Sequence, residues 1–560
     1  MLYAGVDYPK GYFKPPIDIA FELSGNFGEL RPNHFHTGID ITTNNKEGYA
    51  IKAAAEGYVS RIKVSPWGYG KAIYITHPNG YTTVYAHLQR YNGKFAEYVS
   101  HHQQINESFE IEVFPAPGEL PVKQSEIIAY SGNTGSSGGP HLHFEIRDTK
   151  TEDALNPLLF GFPVPDTVAP VPVMLAIYPL DDQACVNGKN QLMKIPLKKS
   201  GRSYFPANAA DSIVVHGNIG FAIEAYDKES KPRGKNGVYC IALLRNGKKI
   251  YGHQMERIPF DKSRYINCFV DYALHEKTGK HLMRSWLEPN NELPVYDPMP
   301  ANRGVISYAE DVKDVFWYDL SDLNGNTARV TFKVTGKAKS CNNPPAYSPP
   351  VVHALQWEQT NNISEEGVFD FITPEKAVYD NVALSWKTSW ARYGRKIMLG
   401  DPNVPLHKAC TLKIYCNIPD SLQKKALIAE TDAKGKTSSL GGSWDSGGVI
   451  TTIKEFSTFS VMIDTIAPQI NPFNFDKKGK NTTDLNALKT LQFTVADNLS
   501  GIGTYKAFID GKWVLMEYEP KKKMMFLSIE KFSGKSEHEL IINVTDKYGN
   551  TSVYTRKFIR

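Results

Sequence analysis

Histidine is concentrated near the N-terminus. Eight of the fifteen, His34, His36, His77, His87, His101, His102, His141 and His143, lie within the first 145 residues. Four short stretches hold the residues with chemical potential: HTGID with His36 and Asp40, YAHL with His87, SGNTGSSGGP at 131–140, and HLHFE with His141 and His143. If HLHFE is a strand, His141 and His143 point to one face ~6.6 Å apart, with Leu142, Phe144 and Ile146 on the other. One imidazole can then bind a metal while its neighbour reaches the water that the metal holds. In an uninterrupted strand His36 and Asp40 would stand ~13 Å apart, too far to share one ion through bonds of ~2.0 Å. Gly38 between them permits the bend that would bring them together. Two histidines and one aspartate with an open fourth position are the donor count of a catalytic zinc centre, because neutral imidazole and carboxylate suit a borderline ion that must also hold water. The opposing reading, strand histidines each bonded to backbone, fits any one of them better than it fits the set.

The elements that must position these residues read as strands. KAIYITHP (71–78), YTTVYAHL (81–88) and HLHFEIRD (141–148) alternate with a period of two, and Pro78-Asn79-Gly80 is a hairpin signal between the first pair. Between 91 and 109 that period is lost, and FAEYVSHHQQINESF suggests one amphipathic helix inserted into the sheet. From about residue 160 the texture becomes short strands and turns with repeated phrases. DTVAP at Asp166 recurs as DTIAP at Asp464, and SDLNGNT at Ser321 recurs as TDKYGNT at Thr545. These phrases bracket domains and predict four: a catalytic part at 1–160, a β-sandwich with insertions at 166–340, a second sandwich at 347–463 and a compact one at 464–560. Pro344, Pro345, Pro349 and Pro350 mark a stiff linker before the second sandwich.

The balance of 64 Lys and Arg against 59 Asp and Glu leaves +5 over 560 residues, with no basic run, so nucleic acid is not an expected partner. The 12% aromatic content, 30 Tyr and 35 Pro favour an all-β-dominated fold over a helical one. Thr167–Leu180 is the longest uncharged apolar-leaning stretch of interest, and prolines 170, 172 and 179 break it, so no transmembrane helix is expected there. The opening residues MLYAGVDYPK show no export signal, as would a chain whose signal had been removed. All six cysteines lie beyond residue 180, and Cys410 and Cys416 in one strand would be ~20 Å apart, beyond disulfide reach.

HxGxD, YAHL and SGNTGxSxGPHLHFE together resemble the lysostaphin-type zinc endopeptidases of the LytM-domain family, which cut peptidoglycan peptides. The resemblance covers roughly residues 18–150. By motif position it implies that His36, Asp40 and His143 bind one zinc ion, and that His87 and His141 act on the water and the tetrahedral intermediate. It also implies a small, largely antiparallel sheet with a groove walled by loops, followed here by three Ig-like sandwiches. The order of parts is similar to envelope peptidases of Bacteroides-type bacteria. The expected function is hydrolysis of a peptide bond in peptidoglycan stems or cross-links in the cell envelope after export, with an envelope protein as a possible partner of the sandwiches. The rival readings are a catalytically silent LytM-like module that binds peptidoglycan or activates an amidase, and a scaffold whose zinc only stabilises.

Two departures from the family pattern stand out. The segment 89–122 is extra and reads as a wall or lid rather than core. His34 makes a His-x-His with His36 and competes with it as a ligand, although the HxGxD register favours His36. Glu145 shares the face of His143 and is a candidate to orient it. Tyr85, two residues before His87, is a candidate groove residue. HEKTGKH at 275–281 reads as a surface loop, and SWDSGG at 443–448 as a turn within a sandwich.

Overall fold

A computed structural model describes residues 7–207, 212–228, 234–297, 299–338, 353–432, 434–475, 484–532 and 537–560. The proline linker at 344–350 lies outside them. The chain is all-β: an N-terminal domain built on an antiparallel sheet, then several β-sheet units.

Seven strands form the spine of the N-terminal sheet, in the order Leu23–Gly25, Ile39–Thr42, His141–Asp148, Tyr81–Ala86, Lys71–Thr76, Gly57–Val64 and Ile111–Val113. The alternation of HLHFEIRD decides its faces: Leu142, Phe144 and Ile146 are fully buried in the apolar core. His143 pairs with Asp40 on one side and with Ala86 on the other. The residue after Ala86, His87, therefore leaves its strand beside His143. The hairpin between Thr76 and Tyr81 turns through Gly80 at φ +85°.

The segment 89–122 is not a separate lid. Its helix spans Gly93–Ile105, with Phe95 and Val99 on the buried side, and Tyr91, Phe109, Ile111, Leu120 and Val122 enter the same core. The strands Ile111–Val113 and Pro121–Val122 pair with Gly57–Val64. Phe95 and Val99 stand one helical turn apart, the spacing that puts two side chains on one face.

Residues 171–336 form one eleven-stranded sheet rather than two separate ones, because the long strand Ile213–Tyr226 pairs with Thr327–Gly336 through its first residues and with Val171–Pro179 through its last. Beyond it lie a pair of five-stranded sheets between 361 and 463 and a pair of four-stranded sheets between 469 and 559. HEKTGKH is not a loop: Tyr272–Thr278 is a helix, because the Asp271 side chain accepts from the Leu274 amide at its start and Gly279 at φ +68° ends it. SWDSGG is the hairpin joining Ser443–Asp445 to Gly448–Glu455. Cys185 is disulfide-bonded, whereas Cys410 and Cys416 are free.

The units are not beads on a string. Phe27 and Phe35 of the N-terminal domain are buried in the core of the eleven-stranded unit. Ala154–Leu155 pairs with Arg257–Ile258 of that unit. The C-terminal unit touches the N-terminal domain too. Tyr505 and Leu515 pack on its core, and Lys71 and Glu517 form an ion pair at 2.8 Å.

Candidate metal centre

The three donors converge. His36 Nε2, Asp40 Oδ1 and His143 Nδ1 form a triangle with sides of 3.0 Å between the imidazoles, 2.9 Å from His143 to Asp40 and 3.1 Å from His36 to Asp40. All three residues are buried. A tetrahedral ion with bonds of ~2.0–2.1 Å has ligand-to-ligand edges of ~3.3 Å, so this donor set fits zinc with small adjustments. His34 stands apart, its Nδ1 bonded to Pro32 O at 2.8 Å, and it is not part of the group.

The backbone explains the convergence. Asp40 lies in the strand Ile39–Thr42, whereas His36 sits in the break between His34–Phe35 and that strand. Gly38 does not have the left-handed backbone that would demand glycine. A side chain is excluded by close approach instead, since a Cβ there would meet Phe144 O at 2.4 Å and Glu145 Cγ at 2.8 Å.

Each histidine spends one ring nitrogen on an anchor and turns the other to the centre. His36 Nδ1 donates to Asn26 O at 2.8 Å, and His143 Nε2 donates to Glu145 Oε1 at 2.8 Å. His87 Nδ1 donates to Thr134 O at 2.9 Å, and His141 Nδ1 donates to Gly139 O at 2.8 Å. That leaves Nε2 of His87 and of His141 without a proton in the neutral ring. The His141 Nε2 lies 3.4 Å from Asp40 Oδ1, and the His87 and His141 rings are 4.8 Å apart between centroids. His87 holds φ at +58°, a strained value for a histidine, and its amide donates to Tyr69 O at 2.9 Å.

Behind His143 lies a network of which the sequence pointed only to Glu145. The fully buried Glu145 carboxylate accepts from Thr37 Oγ1 at 2.7 Å, from Arg147 Nε at 2.7 Å and from the Tyr69 hydroxyl. The Tyr69 ring stacks on His143 at 5.1 Å between centroids. Arg147 in turn lies 4.2 Å from the ring centre of Phe260 in the neighbouring unit. Arg31 Nη2 approaches the outer oxygen of Asp40 at 2.5 Å. Tyr85 lies in the core instead of a groove, its hydroxyl bonded to the Ala54 amide at 2.8 Å.

Burial alone would raise the Asp40 carboxyl, but His36, His141 and His143 hold it well below the usual carboxylate range. Burial would lower His143, yet its bonds to Asp40 and Glu145 lift it to about 9. His87 is pushed down to about 3 by burial and by its neighbours His143 and His141.

The glycines of SGNTGSSGG serve packing more than substrate approach. A Cβ at Gly132 would meet the Gln89 amide at 2.3 Å, and one at Gly135, where φ is +71°, would meet Gly68 O at 2.3 Å. Only Gly138 and Gly139 border open space.

Residues 34–112 match the family model of peptidase family M23, a span that includes His36, Asp40 and His87, and residues 352–464 match a Zu5-like domain. The DD-carboxypeptidase/endopeptidase Mpg of Neisseria meningitidis serogroup B is 30% identical over 166 residues, which cover 30% of this chain and 29% of that protein. Lysostaphin of Staphylococcus simulans is 29% identical over 157 residues, which cover 28% of this chain and 25% of that protein. Among solved structures, the catalytic domain of the prophage-encoded M23 protein EnpA from Enterococcus faecalis matches 27% of this chain and 100% of its own at 25% identity, with a TM-score of 0.21. The chain thus spans under a third of the length of the curated relatives it matches.

Proposed function

We propose, for a chain that carries a peptidase family M23 domain at its N-terminus, that it is a zinc-dependent endopeptidase which hydrolyses a peptide bond in peptidoglycan stems or cross-links in the cell envelope. The observation that carries this reading is the triangle of His36, Asp40 and His143, whose donors stand 2.9–3.1 Å from one another with each histidine's other nitrogen already anchored. A relative from Vibrio cholerae named peptidoglycan DD-endopeptidase ShyC, 30% identical over 143 residues, supports the substrate class. The disulfide at Cys185 supports an oxidising compartment.

In that reading His36, Asp40 and His143 hold the ion. Zinc there supplies Lewis-acid polarisation of a carbonyl and a water acidic enough to lose a proton near neutral pH. The chain's own residues do the rest. Glu145 fixes the His143 ring so that Nδ1 faces the centre. His141 Nε2 accepts the proton of the attacking water and, once charged, donates it to the departing amine, while His87, held neutral by burial, accepts a hydrogen bond from that water through Nε2 and orients it. The test is zinc content of the purified full chain together with product analysis on purified sacculi. Stoichiometric zinc with new amine ends in the released peptides is the expected result. Zinc without cleavage would overturn the catalytic reading.

A further inference from the structure

We propose that the C-terminal sandwich holds a second cation, a hard divalent ion of the calcium class, between Asp464, Asp497 and Asp546. One carboxylate oxygen of each residue lies within 4.8 Å of the others. That distance is twice a Ca–O bond of ~2.4 Å, so every pair can share one ion. An all-oxygen donor set favours calcium over zinc.

The C-terminal trio has more than clustered charge. Asp464 is fully buried and Asp546 is 4% exposed, and neither they nor Asp497 make an ion pair among the described residues. Asp546 Oδ1 accepts from the amides of Tyr548 at 2.8 Å and Asn550 at 2.9 Å, and Asp497 Oδ2 accepts from those of Leu499 at 3.0 Å and Gly501 at 2.8 Å. Two polar atoms are left over. Asp497 Oδ1 is buried without a partner, and so is the hydroxyl of Ser500, a residue only 5% exposed whose own amide donates to Asp464 Oδ2 at 3.0 Å. Buried polar groups are normally hydrogen-bonded, so an unpaired carboxylate oxygen and an unpaired hydroxyl beside the carboxylates point to a ligand there. The nearby ammonium of Lys425 donates to Tyr548 O at 2.6 Å and Asn550 Oδ1 at 2.7 Å.

The arrangement occurs twice in one chain. Asn550 Nδ2 donates to Asp546 Oδ2 at 2.6 Å and Asp464 O at 3.0 Å, and Asn326 Nδ2 donates to Asp322 Oδ2 at 2.7 Å and Asp166 O at 3.2 Å. The repeated phrases DTxAP and Asp-x-x-Gly-Asn-Thr are the sequence trace of this frame. Asp464 directly follows the strand Ser457–Ile463 of the preceding unit. An ion there fixes the angle at which the C-terminal sandwich leaves its neighbour.

Equilibrium dialysis of the zinc-loaded full chain against radioactive calcium reads the proposal. One calcium ion per chain is expected, with a dissociation constant on the order of 10⁻⁴–10⁻³ M as in extracellular modules. Asp497→Asn should remove it, and zinc content should not change. Absence of saturable calcium binding to the wild-type chain, or wild-type stoichiometry in a folded Asp497→Asn chain, would overturn it. Should that variant not fold, terbium emission sensitised by Tyr548 in the wild type decides, and its absence refutes the site.

Discussion

Phe35→Ala tests whether the metal centre depends on the unit behind it. Phe35 is the residue before the proposed ligand His36, yet its ring is fully buried in the core of the eleven-stranded unit, 5.5 Å from Phe269, and its amide donates to Ser263 Oγ at 3.0 Å. The other end of the same loop is pinned as well. Phe27 enters that core, and the side chain of Asn26, the residue whose main-chain carbonyl anchors His36, exchanges hydrogen bonds of 2.7 and 2.8 Å with Gly237. Truncating a buried Phe costs ~3–5 kcal/mol. Freeing His36 from its anchor should weaken zinc by ~10–100-fold, the range typical for groups that support a ligand, or ~1.4–2.8 kcal/mol. The control is Phe332→Ala, 3% exposed in the same core but away from the centre, which should lose similar stability and keep its zinc. Competition with a calibrated chelator, run well below both melting transitions, reads the difference. Unchanged zinc affinity in Phe35→Ala, or equal losses in both variants, would refute the reasoning.

Alanine at His36, Asp40 or His143 should abolish stoichiometric zinc by elemental analysis while the β-sheet circular dichroism persists. His87→Ala and His141→Ala should keep zinc and lose ~10²–10⁴-fold in peptide cleavage, the usual contribution of proton handling; wild-type turnover in either would remove its role. Lys521 Nζ reaches Asn133 Oδ1 and Ser137 O, each at 3.2 Å, and Ser137 Oγ stands 3.2 Å from His141 Nδ1. Lys521→Met should therefore change KM for a peptide substrate while leaving zinc content alone, and unchanged kinetics would show that this contact does not reach the site. His77 is buried between Glu56 O and Thr83 Oγ1 and is pushed down to about 4 by burial. The unfolded chain takes up that proton first. The stability from neutral His77 is therefore complete above pH ~6.5 and is lost as pH falls toward 4, by up to roughly 3 kcal/mol. Urea melts at pH 7 and pH 4.5 should show a smaller drop for His77→Gln than for wild type.

Residues of distinctive type at fixed spacing were readable in one dimension. HTGID and HLHFE pointed to one centre, and the alternation of HLHFEIRD set its faces, because strand periodicity alone determines which side chains share a side. Glu145 was visible as a neighbour two positions on. What stayed hidden depends on contacts between distant segments. Nothing in the order of residues says that Tyr69 stacks on His143 or that Arg147 closes the Glu145 network. Tyr85 looked like a groove residue because it precedes His87 by two, but the strand ends at Ala86 and His87 takes a left-handed turn, so the two do not share a face. The insertion looked like a lid because its helix is mostly polar. Two buried residues one turn apart, with two short strands after it, were enough to make it core.

Contacts between the N-terminal domain and the tail were hidden too, and several fall on the loops around the candidate centre. The segment 26–36, which ends in the proposed ligand His36, is held by Gly237, Ser263 and the core around Phe35. The loop 133–139, which anchors His87 through Thr134 and His141 through Gly139, is held by Lys521. Two different units of the tail thus hold two segments of one candidate site. A histidine that must keep one nitrogen on a backbone carbonyl is only as well placed as that carbonyl, and both kinds of carbonyl used here lie in irregular loops, which no ladder of strand hydrogen bonds makes rigid. The tail supplies that rigidity from outside. A chain cut after residue 160 would expose Phe27 and Phe35 and release both loops at once, so its losses should fall on small peptides as heavily as on whole sacculi. On the proposed reading, the β-units behind the N-terminal domain hold the loops of its metal centre in place.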